Sequence, residues 1–302
     1  MRSSKIKSES ERGLFPPIHP LFFSSGSATA TPPPTTAVSS HGAADDDPLL
    51  RLPPPLRLHG RAAGLSAATT YAIIVLNQRL PRFAPLLWAR ARLRLCADGG
   101  ANRVFDGMPE LLSDEDPADV RKRYKPDVVK GDMDSIRPEV MEYYSNLGTD
   151  IVDESHDQDT TDLHKCVSFI TRNLQSPDNS NLCILVLGAL GGRFDHEMGN
   201  INVLYRFSEI KIILLSDDSS IFLLPKTHTH KIHIERSVEG PHCGLIPIGT
   251  PSTSTSTTGL RWNLDKTSMS YGGLISTSNI VEEDEITVTS DSDLIWTISI
   301  RN

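Results

Sequence analysis

No apolar run in this 302-residue chain comes near the ~18 residues that a membrane span requires, and residues 182–190 are as long as such runs get. A membrane protein is therefore not expected. Cysteine is scarce. The four (Cys96, Cys166, Cys183, Cys243) form no C-x-x-C pair and match no zinc-ligand spacing. Three lie inside apolar runs and read as small core residues of a protein kept in a reducing compartment. Positive charge is also short, with a formal net charge of -8. The first seventy residues hold seven Lys/Arg against five Asp/Glu, so -10 falls on the remainder. Such a body lacks the basic patches that nucleic-acid binding needs. If it handles phosphates, metal ions must bridge the like charges.

Composition divides the chain. Residues 1–68 are rich in Pro, Ser, Thr and Ala, show no sustained period, and are expected to be a disordered tail. The first dozen residues carry Arg2, Lys5, Lys7 and Arg12 but also Glu9 and Glu11, acids in which a transit peptide would be poorer. The cytosol is expected, with plastid or mitochondrion as the alternative if the tail is a transit peptide. From Tyr71 onward, apolar runs alternate with helical patterns. "YAIIVLN", "LRLCA", "PDVVKG" and "LCILVLG" suit buried strands, and "FAPLLWARARLR" suits a helix. Leu163, Cys166, Val167, Ile170 and Leu174 recur at helical spacing. This alternation predicts a three-layer α/β domain with a parallel sheet over 69–208. Beyond residue 209 the helical signal gives way to short β-prone runs, which predict an all-β sandwich domain over 209–302. "STSTSTT" (252–258) reads as a hairpin or loop.

In open parallel sheets, ligands bind beyond the carboxyl ends of the strands. Four acidic or glycine-rich motifs sit at such ends: "DGG" from Asp98, "GDMD" from Gly131, "DQDTTD" from Asp157, and "GGRFD" ending at Asp195. In "VVKGDMDSI", side-chain alternation along an extended segment would put Asp132 and Asp134 on one side. A lone D-x-D is an ordinary solvated turn, a proton-sharing pair or a cation site. Thr160 or Thr161 can cap the helix that follows, with Asp162 in its first turn, where anions are favoured. "GALGGRFDH" is neither a P-loop nor a dinucleotide fingerprint, but its glycines admit a ligand and Arg193 can grip a phosphate. Together these motifs suit a magnesium–polyphosphate site better than a structural surface. His228, His230 and His233 read as ordinary strand histidines, and Trp262 by itself would be sandwich core.

"LCADGGANRVFD", "KGDMDSI", "DQDTTDLHKC", "GALGGRFDH", "CGLIPIG", "TTGLRWNL" and "STSN" occur in this order in thiamine pyrophosphokinases, and the body of the chain resembles that family, above all its plant members. The resemblance implies transfer of the diphosphate of ATP to the thiamine hydroxyl, giving thiamine diphosphate and AMP, with Mg2+ as cofactor. It implies Asp98, Asp132, Asp134 and Asp162, with Thr161, around metal and phosphates. Gly99, Gly100, Asn102 and Gly131 would lie near the nucleotide, and Gln158, Arg193 and Asp195 would position phosphates. Trp262 would stack on thiamine, with Ser278 and Asn279 hydrogen-bonding its pyrimidine. A homodimer with the active site at the interface is also implied. The same carboxylates would serve a pyrophosphohydrolase, or a non-catalytic nucleotide or thiamine diphosphate sensor.

Overall fold

The structure, a computed structural model, describes residues 71–173 and 182–301; the segment 1–68 and Leu174 lie outside the described residues. Six short strands carry the first half: β1 (Tyr71–Val75), β2 (Leu93–Ala97), β3 (Val128–Gly131), β4 (Asp150–Asp153), β5 (Cys183–Leu187) and β6 (Lys211–Leu215). All five ladders between them are parallel, in the spatial order β6-β5-β1-β2-β3-β4. Every residue of β1 and β5 is buried, as the unbroken apolar runs require of strands covered on both faces.

The covering helices are α1 (Ala84–Trp88), α2 (Gly100–Leu111), α3 (Pro117–Arg123), α4 (Pro138–Asn146), α5 (Asp162–Asn173) and α6 (Phe194–Arg206). On one face, Ile73 and Val75 pack with Val104 and Met108 of α2 and Tyr144 of α4. On the other, Ala72 and Ile74 pack with Leu163, Cys166 and Ile170 of α5 and Leu204 of α6. The helix expected over "FAPLLWARARLR" is cut to the five residues of α1. Arg92 N–H donates to Tyr71 O at 3.0 Å and draws the chain into the sheet. The Arg94 Nε–H donates to Trp88 O at 3.0 Å and closes the helix end.

The second half continues the same sheet. β7 (Ser219–Leu224) runs antiparallel to β6, followed outward by β14 (Leu294–Ile300), β9 (Glu239–Ile246) and β12 (Ser276–Ile280). A second sheet, β11 (Thr267–Met269), β10 (Ser252–Thr258), β13 (Glu285–Ser290) and β8 (His230–His233), is antiparallel throughout. Ile232, Ile286 and Val288 of this sheet share a core with Phe222, Leu245 and Trp296 of the first, completing the sandwich. No break in hydrogen bonding marks residue 209. "STSTSTT" is a full strand, not a hairpin or loop. Thr255 and Thr257 are buried, and hydroxyl bonds such as Ser252 Oγ to Asp291 Oδ1 at 2.7 Å satisfy its inward groups. All four cysteines are free and buried.

Candidate active site at the sheet switch point

The order of the strands reverses between β5 and β1, because β2, β3 and β4 lie on one side of β1 and β5 on the other. The loops leaving the two strands diverge there and open a crevice. A cleft of about 440 Å3 occupies it. Its walls are Leu76, Asn77 and Gln78 after β1, Asp98 and Gly99 after β2, Asp132 and Ser135 after β3, and Gly188, Ala189 and Gly191 after β5. Thr160, Thr161 and Asp162 close one side, and Asp195, His196 and Asn200 the other.

Asp98 sits in the left-handed region at φ 43° and is 1 % exposed. Aspartate tolerates that conformation better than most residues. Its Oδ2 accepts from Ser135 N–H and its Oδ1 from Ile136 N–H, both at 2.9 Å. Asn102 assists, with Nδ2 donating to Ser135 O at 2.9 Å and Oδ1 accepting from Arg137 N–H at 3.0 Å. Two side chains thus fix the loop after β3. Gly131 gives the carboxylates room: a Cβ there would meet Asp98 Cβ at 2.7 Å and Asp162 Oδ1 at 3.2 Å. A Cβ at Gly100 would strike the backbone of Val75, so that glycine lets α2 start against β1.

The expected alternation of Asp132 and Asp134 does not occur. β3 ends at Gly131, and Met133 adopts φ 62°, which breaks the extended path. Met133 packs against the core. Asp134 is exposed, and its Oδ1 accepts from Ser135 Oγ at 2.7 Å. The carboxylates that do converge are Asp98, Asp132 and Asp162, with one oxygen of each within 4.8 Å of the others. Asp162 opens α5. Thr161 caps that helix, its Oγ1 accepting from His164 N–H at 3.3 Å. Burial, then the charges of Asp132 and Asp98, push the Asp162 carboxyl up to about 6. Burial also raises Asp98, against the hydrogen bonds from Ile136 and Ser135. Asp132 Oδ1 is buried with no hydrogen-bond partner among the described residues. A buried carboxylate oxygen without a donor, beside two more carboxylates, fits a hard divalent cation.

The remaining expected residues are more dispersed. Gln158 is exposed and donates to Ser155 O at 2.8 Å. Asp157 builds the turn before α5 by accepting from Asp159 N–H and Thr160 N–H at 3.0 and 3.2 Å. Arg193 is 69 % exposed and paired with Asp195, and of the two only Asp195 lines the cleft. Trp262 is 58 % exposed, which overturns the core reading of that residue. Ser278 is exposed at φ 56°, and Asn279 is buried. None of these last three lines the acidic cleft of its own chain.

Sequence reasoning missed Asn77, Gln78, Ser135, His196 and Asn200. The first two directly follow β1, the position from which ligands are expected, and were there to be read. It also missed two buried lysines. Lys130 pairs with Glu154 beneath the loop after β3. Lys165 Nζ lies 3.9 Å from Asp162 Oδ1, with its side chain 2 % exposed. The helical period that buries Cys166 and Ile170 also turns Lys165 inward.

Fold and cleft together define an α/β protein that gathers carboxylates and glycine-rich turns at one edge of its parallel strands and whose sheet runs on into a β-sandwich. Two family models match this chain: "Thiamin pyrophosphokinase, catalytic domain" over residues 84–214 and "Thiamin pyrophosphokinase, vitamin B1 binding domain" over 229–295. The chain belongs to the thiamin pyrophosphokinase family. It is 79 % identical over 253 residues to Thiamine pyrophosphokinase 1 of Oryza sativa subsp. japonica, covering 84 % of this chain and 96 % of that one. It is 64 % identical over 236 residues to Thiamine pyrophosphokinase 1 of Arabidopsis thaliana, covering 78 % and 88 %. Among solved structures, yeast thiamin pyrophosphokinase superposes with a TM-score of 0.68 at 27 % identity, over 78 % of this chain and 87 % of that one.

Proposed function

We propose that this chain moves the diphosphate unit of ATP onto the hydroxyl of thiamine, yielding thiamine diphosphate and AMP. The observation that carries the reading is the group Asp98, Asp132 and Asp162, with the partnerless Asp132 Oδ1, at the switch-point cleft of a chain of this family. Asp132 and Asp162, with Asp98 behind them, would hold a divalent cation, for which Mg2+ is the natural choice. When bound, the cation supplies charge neutralisation to the phosphate oxygens. The thiamine oxygen attacks the β-phosphorus, the bond from that phosphorus to the α–β bridging oxygen breaks, and AMP departs. The hydroxyl proton is lost to an acceptor at the site. Positioning carries most of the rate in such reactions.

The chain's own residues divide this work. Asp98 and Asn102 fix the loop after β3 and so set Asp132. The first turn of α5 offers N–H groups to phosphate from a twelve-residue helix. Arg193 exchanges its partner Asp195 for phosphate oxygens. Residues 69–208 form the nucleotide and cation half, and 209–302 the vitamin half. Trp262 receives thiamine on its exposed face, where the thiazolium charge gains ~0.5–2 kcal/mol. The family resemblance implies a homodimer whose complete site joins the cleft of one copy to the sandwich of another, and the position of Trp262 and Ser278 outside the cleft lining of their own chain is in keeping with it. Tyr271 and Leu274, nine and twelve residues beyond Trp262, are also exposed large apolar side chains and support that contact. No helix among the described residues is long and apolar enough to cross a membrane, and the free buried thiols support a cytosolic setting.

Incubation with Mg-ATP, with and without thiamine, tests the reading by following AMP. AMP formed only with thiamine supports it. AMP without thiamine identifies a hydrolase, and binding without turnover identifies a sensor.

A further inference from the structure

Trp262 presents an exposed ring, yet its backbone is held from the inside. Its N–H donates to Asn279 Oδ1 at 3.2 Å, and its carbonyl accepts from Asn279 Nδ2 at 2.8 Å. Asn279 Oδ1 also accepts from Ile280 N–H at 2.8 Å, and Nδ2 reaches Ser276 Oγ at 3.4 Å. A carboxamide offers two donor hydrogens and two acceptor lone pairs. All four are taken up within the chain, and Asn279 is 3 % exposed. No polar capacity is left for a ligand.

The local sequence explains the inward turn. β12 pairs with β9, and the register shifts between Ser276 and Asn279. Ser278 takes φ 56° at that shift. A bulge of this kind re-aims the side chain that follows it. Asn279 therefore points at the loop 259–264, and Ser278 remains exposed. The loop is tied down along its length. Arg261 N–H donates to Ile280 O at 2.9 Å, Leu260 bridges Val281, and Leu264 N–H donates to Thr257 Oγ1 at 2.8 Å. Arg261 lies 5.7 Å from the Trp262 ring centroid and pairs with Glu282 at 2.8 Å. An exposed aromatic on a fixed backbone loses little freedom when a ligand stacks on it.

We propose that Asn279 is a positioning residue for the vitamin and does not touch it: its carboxamide sets the Trp262 indole, and its whole effect on thiamine passes through that ring. The proposal rests on the thiamine reading above. Its test is a double-mutant cycle on the thiamine KM with Asn279→Ala, Trp262→Ala and the pair. Asn279→Ala should raise the thiamine KM by about tenfold and leave the KM for ATP in place. In the Trp262→Ala background it should add nothing. Independent, additive losses would show a direct contact and overturn the proposal. Trp88 and Trp296 are buried, so acrylamide quenching of fluorescence reports on Trp262. Quenching must rise in Asn279→Ala, and an unchanged value beside weakened thiamine use also overturns the proposal. If Asn279→Ala fails to fold, Asn279→Asp keeps the Oδ1 acceptor, loses the Nδ2 donor, and carries the same cycle. Should the wild-type chain not use thiamine at all, the functional reading fails, and quenching alone still decides whether Asn279 holds the indole.

Discussion

At the scale of single residues, Asp98 and Asp132 are both acids of one cluster, yet the chain treats them differently. Asp98 satisfies two backbone donors, while Asp132 Oδ1 satisfies none. Asp98→Ala would leave the Ser135 and Ile136 N–H groups without acceptors, at about 1–3 kcal/mol for each that stays buried. Its urea midpoint should drop clearly. Asp132→Asn removes a charge from a repelling group and loses no hydrogen bond. In EDTA its midpoint should equal or slightly exceed that of wild type, while kcat falls at least tenfold, as loss of a phosphate-site charge does. A clear loss of stability in Asp132→Asn would show that its carboxylate has a structural partner. Asp134, set apart by the turn at Met133, should matter less: Asp134→Asn should retain more turnover than Asp132→Asn, and the opposite ranking would put Asp134 at the phosphates. Gly131→Ala should cost about 1–3 kcal/mol, because its Cβ would press on Asp98 and Asp162.

At the scale of elements, strand β10 shows how polar side chains can build a sandwich core. Asp291 anchors its start, accepting from Ser252 Oγ at 2.7 Å, Thr253 N–H at 3.0 Å and Ser254 N–H at 3.1 Å. The hydrogen bonds from Thr253 and Ser252 hold its carboxyl well below the usual range. A depressed acid contributes stability that is present above its unfolded pKa of about 3.9 and lost as pH falls through the folded value. The Tm deficit of Asp291→Asn should therefore be full at pH 6 and shrink below pH ~4. A deficit that persists unchanged to pH 2.5 would place the effect in packing instead.

The same scale shows what could be read from sequence. Strands buried on both faces announce themselves by unbroken apolar runs, so β1, β3 and β5 were legible. So were the strand-end acids, because a parallel sheet gathers its loops at one edge. β10 was not legible, since the partners that anchor its start lie on Asp291, 37 to 39 residues away. Nor was the split between Asp132 and Asp134, which depends on one left-handed residue. The role of Asn279 depends on a bulge that no periodicity reports.

At the scale of the molecule, a site shared between copies makes a prediction that a single-chain site does not. Asp132→Asn damages the cleft, and Trp262→Ala damages the sandwich. Co-expressed at equal levels, these chains should form mixed dimers in which one of two sites has both intact halves, restoring about a quarter of wild-type activity at subsaturating thiamine. No recovery would mean that each chain builds its site alone. The central claim, diphosphate transfer through the acidic cleft, is tested most directly with ATP labelled at the β-phosphorus. Wild type with Mg2+ and thiamine should place the label in thiamine diphosphate, and Asp132→Asn should fail to do so at a comparable rate. Label released as inorganic pyrophosphate, or equal transfer by Asp132→Asn, would contradict the account.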